Sequence, residues 1–453
     1  MIPADFWAAL RAERFLVVGA SELTGVPAAR LFARMGVPFS VSDAAPREVL
    51  DARLAGVPVG RGDVHAGPQD PSQLRGVTQI LVAPGVPRAI PLLAEARARG
   101  VPIWSDYDLL HPLYAHKRVA AVTGTDGKTT TTTLLAHLVA PDARVVVAGN
   151  MGRSVAAALS EILASDVVVI ELSSFMLEDV KRFRADVSAV LNVAEDHVDR
   201  YPSIVEYEAT KRAIVRYARR PDVFVRNLDD DRVARIEAGD LEVRTVSLDR
   251  ADADAHARGG TITIGDARLS ADRLTVRGLH HRSDVLVAAS MAVAIGVPAP
   301  VAVERAASFP GVPHRFQLAF EAGGVAVIDD SKATSVQAVK RALESLADRH
   351  VVLIVGGRDK GLDPSPIAAE RGHLRAVVGY GEAGARLLAA IAAEGGVDAR
   401  YVADFDDAVE AACALARPGD ALLLSPACTS FDQHADYVAR GHAFRRVARR
   451  CLG

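Results

Sequence analysis

The sequence predicts an α/β protein of three domains built largely on parallel sheets. Three observations carry this expectation. Short apolar runs recur through all 453 residues, and nearly every one stops at a Gly-, Ser- or Asp-rich loop. Helix-length stretches separate the runs, the alternation of strand–helix units in a parallel sheet. The length suggests roughly three domains at about 150 residues each. Half the residues are hydrophobic and 24% are charged, an ordinary globular balance. A net charge of −3 gives no reason to expect nucleic acid or an anionic membrane as a partner. No apolar run approaches the roughly 18 residues of a membrane span, and the N-terminus lacks a signal-peptide pattern. Cys413, Cys428 and Cys451 lie far apart without C-x-x-C spacing, so neither a disulfide framework nor a zinc site is expected and a reducing compartment fits.

The first domain is placed at residues 1–112. Phe15–Val18 reads as a strand that turns on Gly19 into a helix over Ala28–Met35. A second strand, Pro38–Ser42, ends at Asp43, about 20 residues on. That layout is close to a dinucleotide fingerprint, but G-x-G-x-x-G is broken at Ser21, which argues against NAD. A third strand, Gln79–Val82, leads to the turn Pro84-Gly85. A nucleotide-like ligand is expected at these strand ends.

The central domain is placed at residues 113–312. The strand Val119–Val122 runs into Thr123-Gly124-Thr125-Asp126-Gly127-Lys128-Thr129-Thr130 and then a helix. Strand, Gly-rich turn, Lys-Thr and helix make a phosphate loop. Backbone N–H groups and the helix N-terminus meet phosphate, Lys128 reaches the β/γ-phosphates, and the Thr129 hydroxyl is a Mg²⁺ ligand. The loop is short, because the standard spacing needs glycine where Val122 stands. Further strands are read at Arg144–Ala148, ending at Asn150, and at Val167–Ile170, ending at Glu171 where a Mg²⁺ ligand is wanted. The strand Val187–Leu191 delivers the acid-rich loop around His197. Three strand ends carrying Gly-Lys-Thr, Glu and Asp-His point to one site at the carboxyl edge of a sheet. Asp222–Arg226 is another strand. A polar, β-rich stretch covers residues 229–275, with Thr261–Ile264 and Arg273–Val276 as strands, and a helix follows over Asp284–Ile295.

The third domain, residues 313–453, repeats the alternation. Strands over Val325–Ile328, Val351–Val355, Ala376–Gly379 and Ala421–Leu424 end at polar loops, a second set of ligand-ready edges. A phosphate loop with strand-end acids indicates ATP-dependent phosphoryl transfer. No activated protein nucleophile stands out, so the acceptor is expected to be a substrate group. Two further domains with open loops suit a ligase better than a simple kinase.

Seven stretches resemble the Mur ligase family of peptidoglycan synthesis, in the family's order and across nearly the whole chain. They are Thr123–Thr130, Glu171–Glu178 (E-L-S-S-F-M-L-E), Asn192–Tyr201 (N-V-A-E-D-H-V-D-R-Y), Pro313–Phe316 (P-H-R-F), Asp329–Thr334 (D-D-S-K-A-T), Gly356–Gly361 and Leu424–Gln433 (L-S-P-A-C-T-S-F-D-Q). The resemblance implies a Rossmann-like UDP-binding N-terminal domain, a central P-loop-type ATPase domain and a Rossmann-like C-terminal domain that takes an amino acid. It is strongest to the member joining D-glutamate to UDP-N-acetylmuramoyl-L-alanine through an acyl phosphate, with ATP and Mg²⁺, in the cytoplasm and as a monomer without membrane insertion.

What the resemblance implies residue by residue is as follows. Lys128, Glu171, His197 and Lys211 are catalytic. Gly124, Thr125, Asp126, Gly127, Lys128, Thr129, Thr130, His281, Asp284, His314, Arg315 and Asp330 meet ATP. Thr129 and Glu171 hold one Mg²⁺, and His197 with a carbamylated Lys211 holds a second. Leu23, Thr24, Asp43 and Gly85 meet the uridine diphosphate, with Asn150 and His197 at the muramoyl-alanyl part. Thr334, Lys360, Ser430, Phe431 and Tyr437 surround D-glutamate, whose two carboxylates need cationic and hydroxyl donors.

Several positions depart from the family pattern. Asp126 stands where asparagine is usual, His281 and Asp284 where asparagines are expected, and Ala44 and Ala45 where polar groups would help bind UDP; Arg47 is the compensating candidate. Competing readings are a folylpolyglutamate synthase-like ligase, a catalytically lapsed nucleotide-binding regulator, and an NAD dehydrogenase. The nucleotide-type first domain opposes the first reading, retention of Lys128, Glu171, His197, Lys211 and Lys360 the second, and the broken fingerprint the third.

Overall fold

The computed structural model describes residues 4–197, 200–275, 279–359, 361, 363–393 and 395–453. They form two compact units, Met1–Arg273 with Arg282–Ala307, and Leu274–His281 with Ser308–Gly453. The first unit holds two sheets. The first sheet contains β1 (Phe15–Val18), β2 (Phe39–Asp43), β3 (Val64–Ala66), β4 (Gln79–Val82) and β5 (Ile103–Trp104) in the order β3-β2-β1-β4-β5, parallel throughout. All four residues of β1 are buried, as expected of a central strand covered on both faces. The helix Gly25–Met35 follows β1 and starts three residues earlier than the periodicity suggests.

The second sheet has nine strands, β6 (Arg118–Thr123), β7 (Val145–Gly149), β8 (Val167–Glu171), β9 (Val187–Val190), β10 (Val223–Asn227), β11 (Glu242–Ser247), β12 (Ala255–His256), β13 (Thr261–Ile264) and β14 (Ala267–Ser270). Their order is β14-β13-β12-β11-β10-β9-β6-β8-β7, and only the β12–β13 and β13–β14 pairs are antiparallel. β6 lies between β9 and β8, so the phosphate loop, Asn192 and Glu171 leave adjacent strands at the same edge. That placement assembles the site. One apolar cluster includes Phe15 and Phe32 of the first sheet's layer and Ile170 and Phe224 of the second's, so the two sheets share a core.

The second unit carries β15 (Gln317–Ala322), β16 (Val325–Asp329), β17 (Val351–Gly356), β18 (Leu374–Tyr380), β19 (Asp398–Tyr401) and β20 (Ala421–Ala427) in the order β15-β16-β20-β17-β18-β19. Only β15 is antiparallel. Apolar clusters cover both faces of the sheet.

Where sequence and structure differ, edges and short elements are responsible. Arg273–Val276 is no strand as far as it is described. Arg273 closes a single 3₁₀ turn after β14, and Val276 lies outside the described residues. β3 has three residues, β15 is a half-buried edge, and β19 is exposed along its length, so none shows a continuous apolar run.

Candidate active site

β6 ends in the phosphate loop, and the helix Lys128–Val139 begins directly after it. Gly127 takes a left-handed φ of +79°, and a Cβ there would lie 2.4 Å from Asp284 Oδ1, so the loop closes only on glycine. Asn192, just past β9, grips the loop. Its Oδ1 accepts from the N–H of Thr125 at 3.0 Å and of Asp126 at 2.9 Å, and its Nδ2 donates to Asp126 O at 3.3 Å. Lys128 Nζ donates to the carbonyls of Gly124 and Thr125 at 2.9 and 2.7 Å. Asp284 is buried and accepts from Thr131 Oγ1 at 3.1 Å, which ties the loop's helix to the helix Leu279–Ile295. Thr130 is buried beside it in the first helical turn.

Thr129 Oγ1 donates to Glu171 Oε2 at 2.9 Å, and Asn150 Nδ2 donates to Glu171 Oε1 at 3.0 Å. Glu171 is 1% exposed. A buried hydroxyl and carboxylate meeting at a phosphate loop fit Mg²⁺, a hard cation that takes one or two protein oxygens and keeps waters and phosphates. The described residues hold no cluster of three His, Cys, Asp or Glu able to cage a metal.

Lys211, on the helix Ile204–Arg212, is 1% exposed. Its Nζ donates to Gly124 O at 2.8 Å and lies 4.3 Å from the Tyr207 ring centroid. Burial, reinforced by the nearby Lys128 charge, pulls its pKa from 10.5 down to about 7, while Asp196 and Asp126 act in the opposite sense. Asp126 is therefore close enough to Lys211 to support its charge. His197 has a left-handed φ of +53° and packs against Phe175 with ring centroids 4.6 Å apart and planes tilted by 49°; Tyr207 lies edge-on at 6.3 Å. His197 and Lys211 thus approach Tyr207 from their own sides.

In the first sheet, Asp43 is tied to the backbone. Its Oδ2 accepts from Ala20 N at 2.6 Å and its Oδ1 from Ala45 N at 2.8 Å, joining the ends of β1 and β2. Thr24 is buried at the start of the following helix and Leu23 is half-buried beside it. Gly85 is exposed, with open space where a Cβ would stand. Arg47 pairs with Asp51 and donates to the carbonyls of Arg61 and Val64, so it is engaged on its own domain.

The second unit has its own polar centre. His314 Nδ1 and Arg445 Nε approach Asp329 Oδ2 at 2.8 and 2.6 Å. Gly441 makes room, since a Cβ there would sit 2.1 Å from His314 Nδ1. Burial works to raise the Asp329 pKa, but the His314 hydrogen bond and the charge of Arg445 overcome it and hold the carboxyl below its usual range. Asp330 accepts from Ser425 Oγ at 2.8 Å and from Phe316 N at 3.0 Å, and burial pushes it up to about 7. Arg440 is fully buried. It donates to Ser331 Oγ, Ser331 O, Cys428 O and the Tyr380 hydroxyl, clamping the end of β18 to the loops after β16 and β20. Ser430 is buried, Phe431 is 60% exposed, and Thr334 and Arg315 are half-buried. The Tyr437 ring lies 4.9 Å from Lys332 Nζ and edge-on to His314. The His281 ring lies 6.3 Å from Phe316, so His281 belongs to this unit and Asp284 to the other. Lys360 lies outside the described residues.

The structure therefore gathers Gly124–Thr130, Asn150, Glu171, Lys211 and Asp284 around one sheet edge, and His314, Asp330 and Tyr437 around another. Asn192, Asp329, Arg440 and Arg445 join these sites, although the sequence reading gave none of them a role. Asn192 and Asp329 stand at strand ends, a signal that was available. Arg440 and Arg445 lie inside a helix and offered none.

Comparison with known proteins agrees with this geometry. The Mur ligase middle domain matches residues 122–292, and the "Mur ligase, glutamate ligase domain" matches 314–428. A UDP-N-acetylmuramoylalanine--D-glutamate ligase of Rubrobacter xylanophilus is 39% identical, with 96% of this chain and 98% of that protein covered. The protein of the same name from Anaeromyxobacter dehalogenans is 36% identical over 97% and 98%. Among solved structures, MurF from Acinetobacter baumannii superposes with a TM-score of 0.63 at 15% identity, covering 98% of both chains, and MurC from Thermotoga maritima with 0.58 at 19%, covering 97% and 99%. The structural likeness carries the fold and the near-full-length sequence identity carries the kinship: the chain belongs to the Mur ligase family.

Proposed function

We propose that this chain is an ATP-dependent ligase that joins D-glutamate to UDP-N-acetylmuramoyl-L-alanine, forming an amide, ADP and phosphate in peptidoglycan synthesis. The supporting observation is the Thr129–Glu171 contact beside Lys128, at the edge of a sheet in a chain 36–39% identical to two proteins named for that reaction. A family neighbour, MurF from Thermotoga maritima, is solved in complex with ADP, which supports ATP here. No described helix is long and apolar enough to cross a membrane. The enzyme acts in the cytoplasm as a monomer on small-molecule substrates.

Each domain has a share in the reaction. Residues 1–112 take the uridine nucleotide through Leu23, Thr24, Asp43 and Gly85. Residues 113–312 hold ATP on Gly124–Thr130 and Asp284, with Asn150 and His197 towards the muramoyl-alanyl end. Residues 313–453 present His314, Arg315 and Asp330 to ATP, and hold D-glutamate with Thr334, Lys360, Ser430, Phe431 and Tyr437. His281 remains the residue whose ATP contact has least support.

Lys128 and the loop amides hold the γ-phosphate in line with the L-alanyl carboxylate and neutralise the charge that spreads over it. That carboxylate displaces ADP and becomes an acyl phosphate. The free amine of D-glutamate attacks the acyl carbon, and the tetrahedral intermediate collapses by expelling phosphate. The amine's proton leaves to solvent or phosphate. Thr129 and Glu171 would hold Mg²⁺, which supplies charge neutralisation between the phosphates. A Lys211 amine held near neutrality is nucleophilic towards CO₂. Its carbamate, formed with loss of one proton, turns a repelling ammonium into an anionic oxygen ligand that would hold a second Mg²⁺ with His197.

The test is ADP release measured against a panel of amino acids. It is expected only with UDP-N-acetylmuramoyl-L-alanine and D-glutamate together. ADP formed equally without either substrate, or a preference for another amino acid, overturns this assignment.

A further inference from the structure

The loop after β4 brings Arg88 into a buried charge cluster that no step above uses. Its side chain is 12% exposed. Arg88 Nε lies 3.0 Å from Glu178 Oε2 and 2.8 Å from Asp179 Oδ2, and Nη2 donates to Phe175 O at 3.3 Å. Glu178 also accepts both nitrogens of the Arg200 fork, each at 2.7 Å, and the Tyr201 hydroxyl at 2.8 Å. The Arg200 guanidinium lies 4.1 Å from the centroid of the Phe175 ring, and the His197 ring lies against Phe175 at 4.6 Å, tilted by 49°. We propose that Arg88 is a positioning residue for His197, acting through Glu178, Arg200 and Phe175, so that a side chain of the first sheet sets the place of a ring in the site of the second.

Charge counting in a nearly dry setting supports this role. Glu178 and Asp179 are neighbours and only 13–14% exposed. Arg200 compensates Glu178, and Arg97 reaches Asp179 only at 3.7 Å. Removing Arg88 takes away a cation that meets both carboxylates, leaving Glu178 to Arg200 and Asp179 to a 43% exposed Arg97 at 3.7 Å. Glu178 then shifts, and the Arg200 fork shifts with it. Phe175 would lose both the cation above its face and the anchor on its carbonyl. His197 holds an uncommon backbone conformation and has a 42% exposed side chain, so its ring depends on a few contacts, Phe175 at 4.6 Å, Tyr207 edge-on and Asp196 at 3.5 Å. The consequence for the reaction rests on the reading that His197 faces the reacting groups.

The experiment uses full-length Arg88→Met and Arg88→Lys variants. Histidine ring resonances are followed by NMR, with His197 identified by the signal lost in His197→Gln, alongside kcat and KM. Arg88→Met is expected to move the His197 signal away from its Phe175-shifted position and to lower kcat about tenfold or more, with a smaller change in KM for ATP. Arg88→Lys keeps the charge but cannot bridge both carboxylates and the Phe175 carbonyl, so its shift and its kcat fall between. An unmoved His197 signal in Arg88→Met overturns the proposal. If that variant does not fold, an unmoved signal in Arg88→Lys does so. A His197→Ala variant with full kcat would overturn the catalytic reading of His197 alone, since the NMR shift would still report the positioning.

Discussion

In the first unit, Lys128 and Lys211 donate to one backbone carbonyl, Gly124 O. In the second, Asp329 and Asp330 stand side by side at the end of β16 and divide the donors between them. Asp329 takes the cationic side of its surroundings, His314 and Arg445; Asp330 takes a hydroxyl and a backbone N–H. The first centre sets two lysines on one carbonyl, and burial plus like charge make one of them a weak base. The second neutralises its charge internally, and the carboxyl left with neutral donors is the one pushed up to about 7. A centre whose cations rest on backbone carbonyls and a centre whose carboxylate is paired with cations can thus be told apart by who pairs with whom.

Removing cations from the first centre should have the largest effect. Lys128→Ala is expected to lower ADP release about 10³-fold while the thermal melt changes little. Lys211→Ala should follow, with a loss of about 10²-fold that a short carboxylate such as acetate partly restores. Intact mass of the wild type under CO₂ should show the carbamate, more of it as pH rises through about 7; an active enzyme with unmodified Lys211 would remove that part of the mechanism.

The second centre should respond in stability. Asp330 has a folded pKa above its unfolded value, so its protonation supports the fold fully below the ordinary carboxylate range, and that support is lost as pH rises through about 7. Asp330→Asn should therefore flatten the pH dependence of the unfolding free energy between about 4 and 7, by on the order of 4 kcal/mol. A profile identical to wild type would show that Asp330 titrates normally. Asp126→Asn should be mildest, with activity within about threefold of wild type. Because the Asp126 charge supports protonated Lys211, the direction should be a further fall in the lysine's pKa, readable as more carbamate at fixed pH.

Much of this fold was legible. Buried central strands such as Val167–Glu171 and Val351–Gly356 are nearly uniform apolar runs, and their ends place the loops. β19 was not, because an exposed edge strand has no apolar face to show. The site was legible where chemistry sits at strand ends and in the loops they open: Glu171 ends β8, Asp330 follows β16 directly, and Lys128 closes the loop after β6. Arg440 and Arg445 were not, because a helix presents them by tertiary packing and their partners lie more than 100 residues away in sequence for Ser331 and Asp329. Without the family resemblance Lys211 would read as a solvated helix lysine; the structure buries it.

Asn192 accounts for how a shortened phosphate loop keeps its donors. A loop of ordinary length spends some residues on bracing itself. Here a side chain from the next strand supplies the brace, taking the N–H groups of Thr125 and Asp126. The N–H groups that follow, from Gly127 to Thr130, belong to the first helical turn and have no partner within the helix. The short loop thus runs straight into a helix N-terminus, and the work of scaffolding it falls to a neighbouring strand.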